Sequence, residues 1–185
     1  MTDPSTSSDP NIGEVLVTEA ELREKVRELG RRITEDYAGR APLLVGILKG
    51  AFVFMSDLAR TIDLPVEFDF MAVSSYGSST TSSGVVRIVK DLDLELTGRD
   101  VILVEDIVDS GLTLSYLRKN LLARRPASLE VCALLVRADL DPDALGLRYT
   151  GFTVPPDWVV GYGLDVGQQY RQLPYIAAYA GPQPR

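Results

Sequence analysis

Residues 101–113 read Val-Ile-Leu-Val-Glu-Asp-Ile-Val-Asp-Ser-Gly-Leu-Thr, and the order of residue types in this stretch decides the fold. Residues 101–104 form a short apolar run of the kind that lies buried in a parallel sheet. Two carboxylates, Glu105 and Asp106, follow the run directly, and a polar turn at 109–113 then opens a helix. Because parallel sheets bind ligands at the carboxyl ends of their strands, this segment is the first candidate for a functional site.

The turn at 109–113 has the composition of a phosphate-binding loop. Amide N–H groups at a helix start have no partner within the helix, and the Ser110 and Thr113 hydroxyls lie beside them. Gly111 lets the backbone approach a ligand closely. The neighbouring carboxylates would accept hydrogen bonds from ribose hydroxyls or orient a magnesium ion, so the pattern favours a sugar phosphate.

A structural alternative is that Asp109 and Ser110 cap the helix. Capping explains one of these two side chains. It does not explain why Glu105 and Asp106 end an apolar strand, so the functional interpretation is the better one.

Strand and helix patterns alternate along the rest of the chain, which predicts an α/β fold with a mostly parallel central sheet flanked by helices. A capping-box pattern at Thr18 and Glu21 marks the first helix. Helical spacing predicts helices over 18–37, 51–60 and 114–122, and apolar or alternating runs predict strands over 43–48, 66–71, 101–104, 129–136 and 158–162. The low-complexity stretch 77–84 lies between two strand patterns and predicts a hairpin with a mobile tip.

Composition limits the possible classes of function. The chain has 185 residues, a net charge of -7 and no histidine. The charge argues against binding of nucleic acid or a membrane surface. Without histidine there is no Ser-His-Asp triad and no His-ligated zinc, so a metal would be a hard ion on carboxylates, such as Mg²⁺, and a general base would be Asp or Glu.

The ends of the chain and its single cysteine suggest where the protein works. Residues 1–13 are polar and predict a disordered arm without a signal peptide, 14–180 predict one domain, and 181–185 predict a tail. Cys132 lies in an apolar run and has no second cysteine to pair with, which fits a reducing cytoplasm.

The order of apolar strand, two acids, two apolar residues, Asp, Ser, Gly, any residue and Thr resembles the ribose-phosphate signature of type I phosphoribosyltransferases. The resemblance implies their fold, with a small hood and a mobile lid hairpin. Transcription regulators carry the same signature, so a non-enzymatic regulator that binds phosphoribosyl pyrophosphate is an alternative. Such regulators need a basic surface or a DNA-binding domain, and this sequence shows neither.

Five further segments resemble the hypoxanthine-guanine phosphoribosyltransferases, and the resemblance spans about residues 14–179. The segments are 48–51, 75–76, 134–137, 154–165 and 170–176. The implied reaction joins hypoxanthine or guanine to the ribose of phosphoribosyl pyrophosphate, giving IMP or GMP and pyrophosphate. The family resemblance also implies a homodimer or homotetramer.

The resemblance assigns a role to each candidate residue. Asp109 would be the general base at purine N7, and Trp158 would stack on the purine, although a core tryptophan is an equally good interpretation. Glu105 and Asp106 would bind the ribose hydroxyls, and the amides of Asp109, Ser110, Gly111, Leu112 and Thr113 would bind the 5′-phosphate. Lys49, Gly50 and Arg171 would bind pyrophosphate, and Asp165 with Glu105 and Asp106 would bind magnesium. Ser75 and Tyr76 would belong to the lid, and the Val159 backbone would bind the purine edge. The peptide bond that enters Lys49 is expected to be cis.

Arg137 is the main departure from the family pattern, which has lysine at this position. Arginine is still a cationic donor, and it can contact the O6/N7 edge of a purine with two N–H groups. A residue that only donates disfavours adenine, whose exocyclic amine is also a donor. The reaction type is therefore better determined than the base, and xanthine, adenine and uracil stay as alternatives.

Overall fold

The computed structural model describes residues 9–75 and 86–182. In chain order, its elements are β1 (Ile12–Val17), α1 (Glu19–Asp36), β2 (Leu43–Leu48), α2 (Phe52–Ala59), β3 (Glu67–Ser75), β4 (Val86–Lys90), β5 (Asp100–Val108), α3 (Leu112–Leu122), β6 (Ser128–Arg137), β7 (Tyr149–Val154), β8 (Val159–Val160) and β9 (Ile176–Tyr179). These strands form one sheet of six and one of three.

The larger sheet is mostly parallel, as the sequence predicts. Its strand order is β4-β3-β2-β5-β6-β7, and β2 pairs in parallel with both β3 and β5. The pairs β5–β6 and β6–β7 are also parallel, whereas β4 runs antiparallel to β3. The carboxyl ends of β2, β5 and β6 therefore lie side by side along one edge of the sheet.

Alternate residues of the central strands pack into two separate clusters. On β5, Ile102 and Val104 belong to the cluster that contains α1 and α2, whereas Val101 and Leu103 belong to the cluster that contains α3. Because successive side chains of a strand point to opposite faces, helices cover both faces of the sheet. The apolar spacing predicted the residues that α1 and α3 contribute to these layers, and the predicted α/β class is confirmed.

The first helix begins as predicted. Thr18 caps α1: its hydroxyl accepts from the Glu21 amide at 3.3 Å, and its own amide donates to the Glu21 carboxylate at 2.8 Å. The predicted apolar stripe faces inward, with Leu22, Val26 and Leu29 all buried.

A smaller antiparallel sheet forms the hood, which we define as strands β1, β9 and β8. β1 begins at Ile12 and pairs with β9, so the prediction that residues 1–13 are a disordered arm is wrong from residue 9 onward. The composition of the arm gives no sign of this, because its partner strand lies more than 150 residues away. The strand predicted at 158–162 is only Val159–Val160, and it belongs to the hood.

The predicted lid hairpin is present as far as the structure describes it. β3 and β4 pair antiparallel up to Ser75 and Val86. Tyr76 and the tip at 77–84 lie outside the described residues. Among the described helices, none is both long and apolar enough to cross a membrane.

Candidate active site

The predicted site residues lie along the edge where β2, β5 and β6 end. Lys49 follows β2, Glu105 and Asp106 lie near the end of β5, and Arg137 is the last residue of β6. A cavity of about 310 Å³ opens at the end of β5. Its lining comprises Glu105, Asp106, Ile107, Val108, Asp109, Ser110, Gly111, Thr113 and Leu114.

Two acidic residues of this cavity, the buried Glu105 and the half-buried Asp106, have no counter-charge in direct contact within the described part of the chain. Glu105 is 6% exposed, and its carboxylate has no hydrogen-bond partner among the described residues. Burial, and then the Asp106 carboxylate beside it, raises the pKa of Glu105 well above its ordinary value. Burial likewise raises the pKa of Asp106 to about 6, although that carboxylate accepts from the Ile107 amide at 2.8 Å. Buried carboxylates in this condition gain from a ligand that supplies hydroxyl donors or a cation.

The turn after β5 has the shape of an anion-binding loop. Gly111 precedes α3 with φ 72°, a left-handed conformation that favours glycine, and a Cβ there would lie 2.8 Å from a Leu145 methyl carbon. No side chain caps α3, and the Ser110 hydroxyl accepts from the Leu112 amide only at 3.5 Å. The capping interpretation is therefore wrong for Asp109, whereas Ser110 makes one long hydrogen bond to the first turn of α3.

Arg137 joins Asp109 to the segment that precedes the hood. Its Nε donates to Asp109 Oδ1 at 2.8 Å. Its Nη1 donates to the carbonyl oxygens of Pro155, at 2.6 Å, and Asp157. The Arg137 side chain is 12% exposed, whereas that of Asp109 is 71% exposed. Arg137 is thus fixed on three sides, and it holds a carboxylate that is open to solvent.

Trp158 and Val159 follow this fixed segment. Trp158 is 44% exposed, so the interpretation as a core tryptophan is wrong. Val159 is buried and begins β8, where it pairs with Ala178 of β9. The backbone around Trp158 is therefore held on one side by Arg137, through Pro155 and Asp157, and on the other side by the hood.

A second group of polar residues gathers where β2 ends. The peptide bond between Leu48 and Lys49 is cis, as expected from the resemblance. Arg171 donates to the Gly163 carbonyl at 2.7 Å and forms an ion pair with Asp165 at 2.7 Å. Lys49 Nζ and Arg171 Nη2 both donate, at 3.2 Å each, to the amide oxygen of Gln168. We call Lys49, Asp165, Gln168 and Arg171 the cation cluster.

Close backbone contacts join the cation cluster to the acidic cavity. A Cβ on Gly50 would lie 1.5 Å from Asp106 Oδ2, so the carboxylate lies directly against the Gly50 backbone. A Cβ on Gly163, whose φ is 102°, would lie 2.2 Å from the Gly50 carbonyl oxygen. Glycine is needed at both positions, and the two groups therefore form one continuous site.

The chain matches known proteins over most of its length. A family model described as the phosphoribosyl transferase domain matches residues 16–166. The chain belongs to the phosphoribosyltransferase family. This phosphoribosyltransferase is 54% identical to the hypoxanthine-guanine phosphoribosyltransferase of Mycobacterium avium over 172 residues, covering 90% of the chain and 85% of the relative. It is 49% identical to that of Bacillus subtilis, covering 90% and 92%.

Solved structures agree with the sequence matches. The crystal structure of a hypoxanthine-guanine phosphoribosyltransferase from Bacillus anthracis superposes on this phosphoribosyltransferase with a TM-score of 0.84, at 42% identity, covering 90% of this chain and 98% of that one. The corresponding enzyme of L. donovani gives 0.84 at 34% identity, covering 92% and 98%. The fold expected from the resemblance is confirmed.

Sequence reasoning missed two features of the site in this phosphoribosyltransferase. One is Gln168 of the cation cluster, and the other is the pair of carbonyls, on Pro155 and Asp157, that fix Arg137. A backbone carbonyl leaves no signature in the sequence. For Gln168, the adjoining Gly167 marks a turn, but nothing local shows which distant side chains the turn faces.

The carboxylates of the site in this phosphoribosyltransferase suit a magnesium ion that already carries water and phosphate ligands. Within 9–75 and 86–182, no three acidic or sulfur side chains converge on a common metal position. Both oxygens of Asp165 already accept from the protein, one from Arg171 and one from the Gln168 amide at 2.7 Å. Magnesium commonly binds through one or two carboxylates, water and substrate phosphates, so the donors fit an ion shared with a diphosphate.

Proposed function

We propose that this phosphoribosyltransferase transfers the 5-phosphoribosyl group from phosphoribosyl pyrophosphate to hypoxanthine or guanine, releasing pyrophosphate and forming IMP or GMP in purine salvage. The observation that carries this proposal is the contact between Arg137 and Asp109 at the mouth of the acidic cavity. It brings a donor-only cation and an exposed carboxylate together beside a site suited to a ribose phosphate.

The acidic cavity is proposed to bind the ribose 5-phosphate. Glu105 and Asp106 would accept hydrogen bonds from the ribose hydroxyls, which answers the lack of a partner on Glu105. The amides of 109–113 and the hydroxyls of Ser110 and Thr113 would bind the 5′-phosphate. The sugar is then held at both ends, with C1′ directed toward the space between Asp109 and the cation cluster.

The purine is proposed to lie between Arg137 and Trp158. Nε and Nη1 of Arg137 are engaged with protein oxygens, which leaves Nη2 to donate to the 6-oxo group. The exposed indole of Trp158 would stack on the ring, and the Val159 backbone would bind its edge. Since Arg137 can only donate, adenine would bring its amine donor against another donor, and 6-oxopurines are favoured.

Asp109 is proposed to be the general base. Purine N9 attacks C1′ as the bond from C1′ to the pyrophosphate oxygen breaks, and the N7 proton passes to the Asp109 carboxylate. Its side chain is largely exposed, so it can approach the substrate without unpacking the core. The Arg137 contact orients the carboxylate before the base binds.

The cation cluster is proposed to bind the leaving pyrophosphate. Lys49, Arg171 and the Gly50 backbone would bind its oxygens, with charge-assisted hydrogen bonds from the two cations. Mg²⁺ would neutralise charge on the diphosphate, with one or two carboxylates from Asp165, Glu105 and Asp106 among its ligands and the rest from water and phosphate oxygens. Ser75 and Tyr76 of the lid hairpin would exclude water from the reacting sugar.

A base-by-base assay tests the proposal. The enzyme is incubated with phosphoribosyl pyrophosphate, Mg²⁺ and one base at a time, namely hypoxanthine, guanine, xanthine, adenine or uracil, and nucleotide formation is followed. Product with hypoxanthine and guanine alone supports the proposal, and product with xanthine alone contradicts the base assignment. Product with no base would favour a phosphoribosyl-pyrophosphate-binding regulator.

We also propose a cytoplasmic location and a homodimeric or homotetrameric assembly. The single cysteine, Cys132, is buried and unpaired, as suits a reducing compartment. The assembly is proposed on the family resemblance alone, and sedimentation of the purified protein would test it.

A further inference from the structure

Gln168 occupies a backbone conformation that disfavours its own residue type. Val166 and Gln169 form an isolated antiparallel bridge, and the two residues between them, Gly167 and Gln168, have φ of 60° and 68°. Turns with two consecutive positive φ values favour Gly, Asn or Asp, because a Cβ crowds the backbone there and only short polar side chains compensate with local hydrogen bonds. A glutamine at this position raises the question of what its side chain does.

The Gln168 side chain lies between two cations. Its Oε1 accepts from Lys49 Nζ at 3.2 Å and from Arg171 Nη2 at 3.2 Å. Its backbone amide donates to Asp165 Oδ2 at 2.7 Å, and the other oxygen of Asp165 pairs with Arg171. One residue therefore contacts all three of the other members of the cation cluster.

These contacts matter because Lys49 and Arg171 belong to separate parts of the chain and carry like charges. Without an acceptor between them, repulsion and side-chain freedom would move the Lys49 ammonium away from the Arg171 guanidinium. A neutral amide oxygen bridges the two cations while leaving their net charge intact. An arriving diphosphate oxygen can then displace it, since a charged acceptor binds cations more strongly than a neutral one.

We infer that Gln168 is a positioning residue whose amide oxygen stands in for a diphosphate oxygen and keeps Lys49 and Arg171 convergent before phosphoribosyl pyrophosphate binds. The inference rests on the proposed function, because it concerns the pyrophosphate end of the same site. Preorganisation of this kind lowers the cost of binding. It acts on the diphosphate and leaves purine binding and the chemical step unchanged.

The acceptor can be removed without removing the turn. Gln168→Leu keeps a side chain of similar length but has no acceptor. Gln168→Gly also removes the acceptor, and glycine adopts the positive φ of this position without strain. Gln168→Glu keeps an acceptor but adds a negative charge that competes with the diphosphate for Lys49 and Arg171. Gln169→Leu is the matched control, because Gln169 is an exposed neighbour in the same turn whose side chain forms no hydrogen bond with the cation cluster among the described residues.

The four variants are compared with the wild-type enzyme by steady-state kinetics and by calorimetric titration with magnesium pyrophosphate. For Gln168→Leu and Gln168→Gly, we expect KM for phosphoribosyl pyrophosphate and Kd for pyrophosphate to rise roughly fivefold or more, the scale of immobilising a long side chain on binding. Their kcat and their KM for hypoxanthine should stay within about twofold of wild type. Gln169→Leu should stay within about twofold in every constant. Gln168→Glu should raise KM for phosphoribosyl pyrophosphate and Kd for pyrophosphate at least as much as Gln168→Leu, because its carboxylate competes with the diphosphate for the two cations.

Three results would overturn the inference. The first is a KM for phosphoribosyl pyrophosphate in both acceptor-less variants equal to that of Gln169→Leu. The second is a fall in kcat at constant KM. The third is a Gln168→Glu variant that binds pyrophosphate as tightly as the wild-type enzyme. Failure of the proposed function looks different, since the wild-type enzyme itself would then form no nucleotide from any 6-oxopurine.

Discussion

Two groups of residues at different places on the larger sheet both contain carboxylates, but the pKa values of these carboxylates are shifted in opposite directions. In the acidic cavity, burial raises the pKa of Glu105 and Asp106. Where α1 meets β7, Asp36 accepts from Tyr149 Oη at 2.7 Å and from Arg148 Nη2 at 2.9 Å, and these hydrogen bonds lower the pKa of Asp36. The second group is satisfied within the protein, whereas the first is left for a ligand to satisfy.

This difference separates a binding site from a structural contact more clearly than residue type does. A carboxylate whose charge is matched inside the protein gains nothing from an added ligand. A buried carboxylate without a partner costs stability until hydroxyl donors or a cation arrive. Substitutions in the two groups should therefore have opposite consequences, and Asp36→Asn is a control for those in the cavity.

The largest effect is expected from Asp109→Asn. Asparagine keeps the size of the side chain but cannot take the N7 proton, so kcat should fall roughly 10²-fold or more, the usual scale for the loss of a general base. Binding of phosphoribosyl pyrophosphate should stay nearly intact. Rates and equilibrium binding are measured beside Asp36→Asn, whose kcat should match wild type. Wild-type turnover by Asp109→Asn would remove Asp109 from its role.

Asp106→Asn should act on substrate binding. The amide cannot replace a carboxylate as the acceptor for two ribose hydroxyls, so KM for phosphoribosyl pyrophosphate should rise roughly tenfold or more, the scale of hydrogen bonds to a charged group. Asp36→Asn should leave that KM unchanged. An equal, small change in both variants would show that the acidic cavity does not bind the ribose.

The same two substitutions should change stability in opposite directions near neutral pH. The folded-state pKa of Asp106, about 6, is above its unfolded value, so stability is lost as pH rises from about 4 through about 6. Asp106→Asn removes that loss and, discounted for partial exposure, should stabilise the protein by about 1–2 kcal/mol at neutral pH but little at pH of about 4.

Asp36 has the opposite pH dependence. Its pKa is lowered, so its contribution is present above the unfolded value and is lost as pH falls through the folded one. Asp36→Asn should therefore cost about 1 kcal/mol at neutral pH. Urea unfolding of both variants and wild type, without ligand or magnesium, gives the free energies of unfolding. Destabilisation by Asp106→Asn at neutral pH would contradict the comparison.

The smallest effect is expected from Tyr149→Phe. The substitution removes the hydroxyl that donates to Asp36 and leaves the Arg148 contact in place. Since the Asp36 carboxylate is partly open to water, the free energy of unfolding should fall by about 1 kcal/mol or less, with kcat unchanged. Thermal unfolding and steady-state kinetics measure the two quantities. A fall in kcat would mean that this group is coupled to the site.

Local sequence patterns were enough to predict several of the helices and strands of this molecule. The apolar run before Glu105, the stripe of α1 and the capping box at Thr18 each depend on residues that are close in sequence. β7 was missed because it includes Gly151, which a sequence pattern marks as a strand breaker. In the fold that glycine is required, since a Cβ would lie 2.3 Å from the Leu134 carbonyl oxygen of β6.

The sequence by itself determined the α/β class, the acid-tipped strand and the glycine turn that follows it, because burial and turn chemistry depend on neighbouring residues. Only the tertiary structure decided that Arg137 holds Asp109, that Gln168 bridges Lys49 and Arg171, and that β1 pairs with β9. Arg171 lies only three positions from Gln168, but the other contacts join residues from 28 to more than 150 positions apart. Residues so far apart in sequence meet only when the strands and helices pack, and a pattern of neighbouring residues carries no information about that packing.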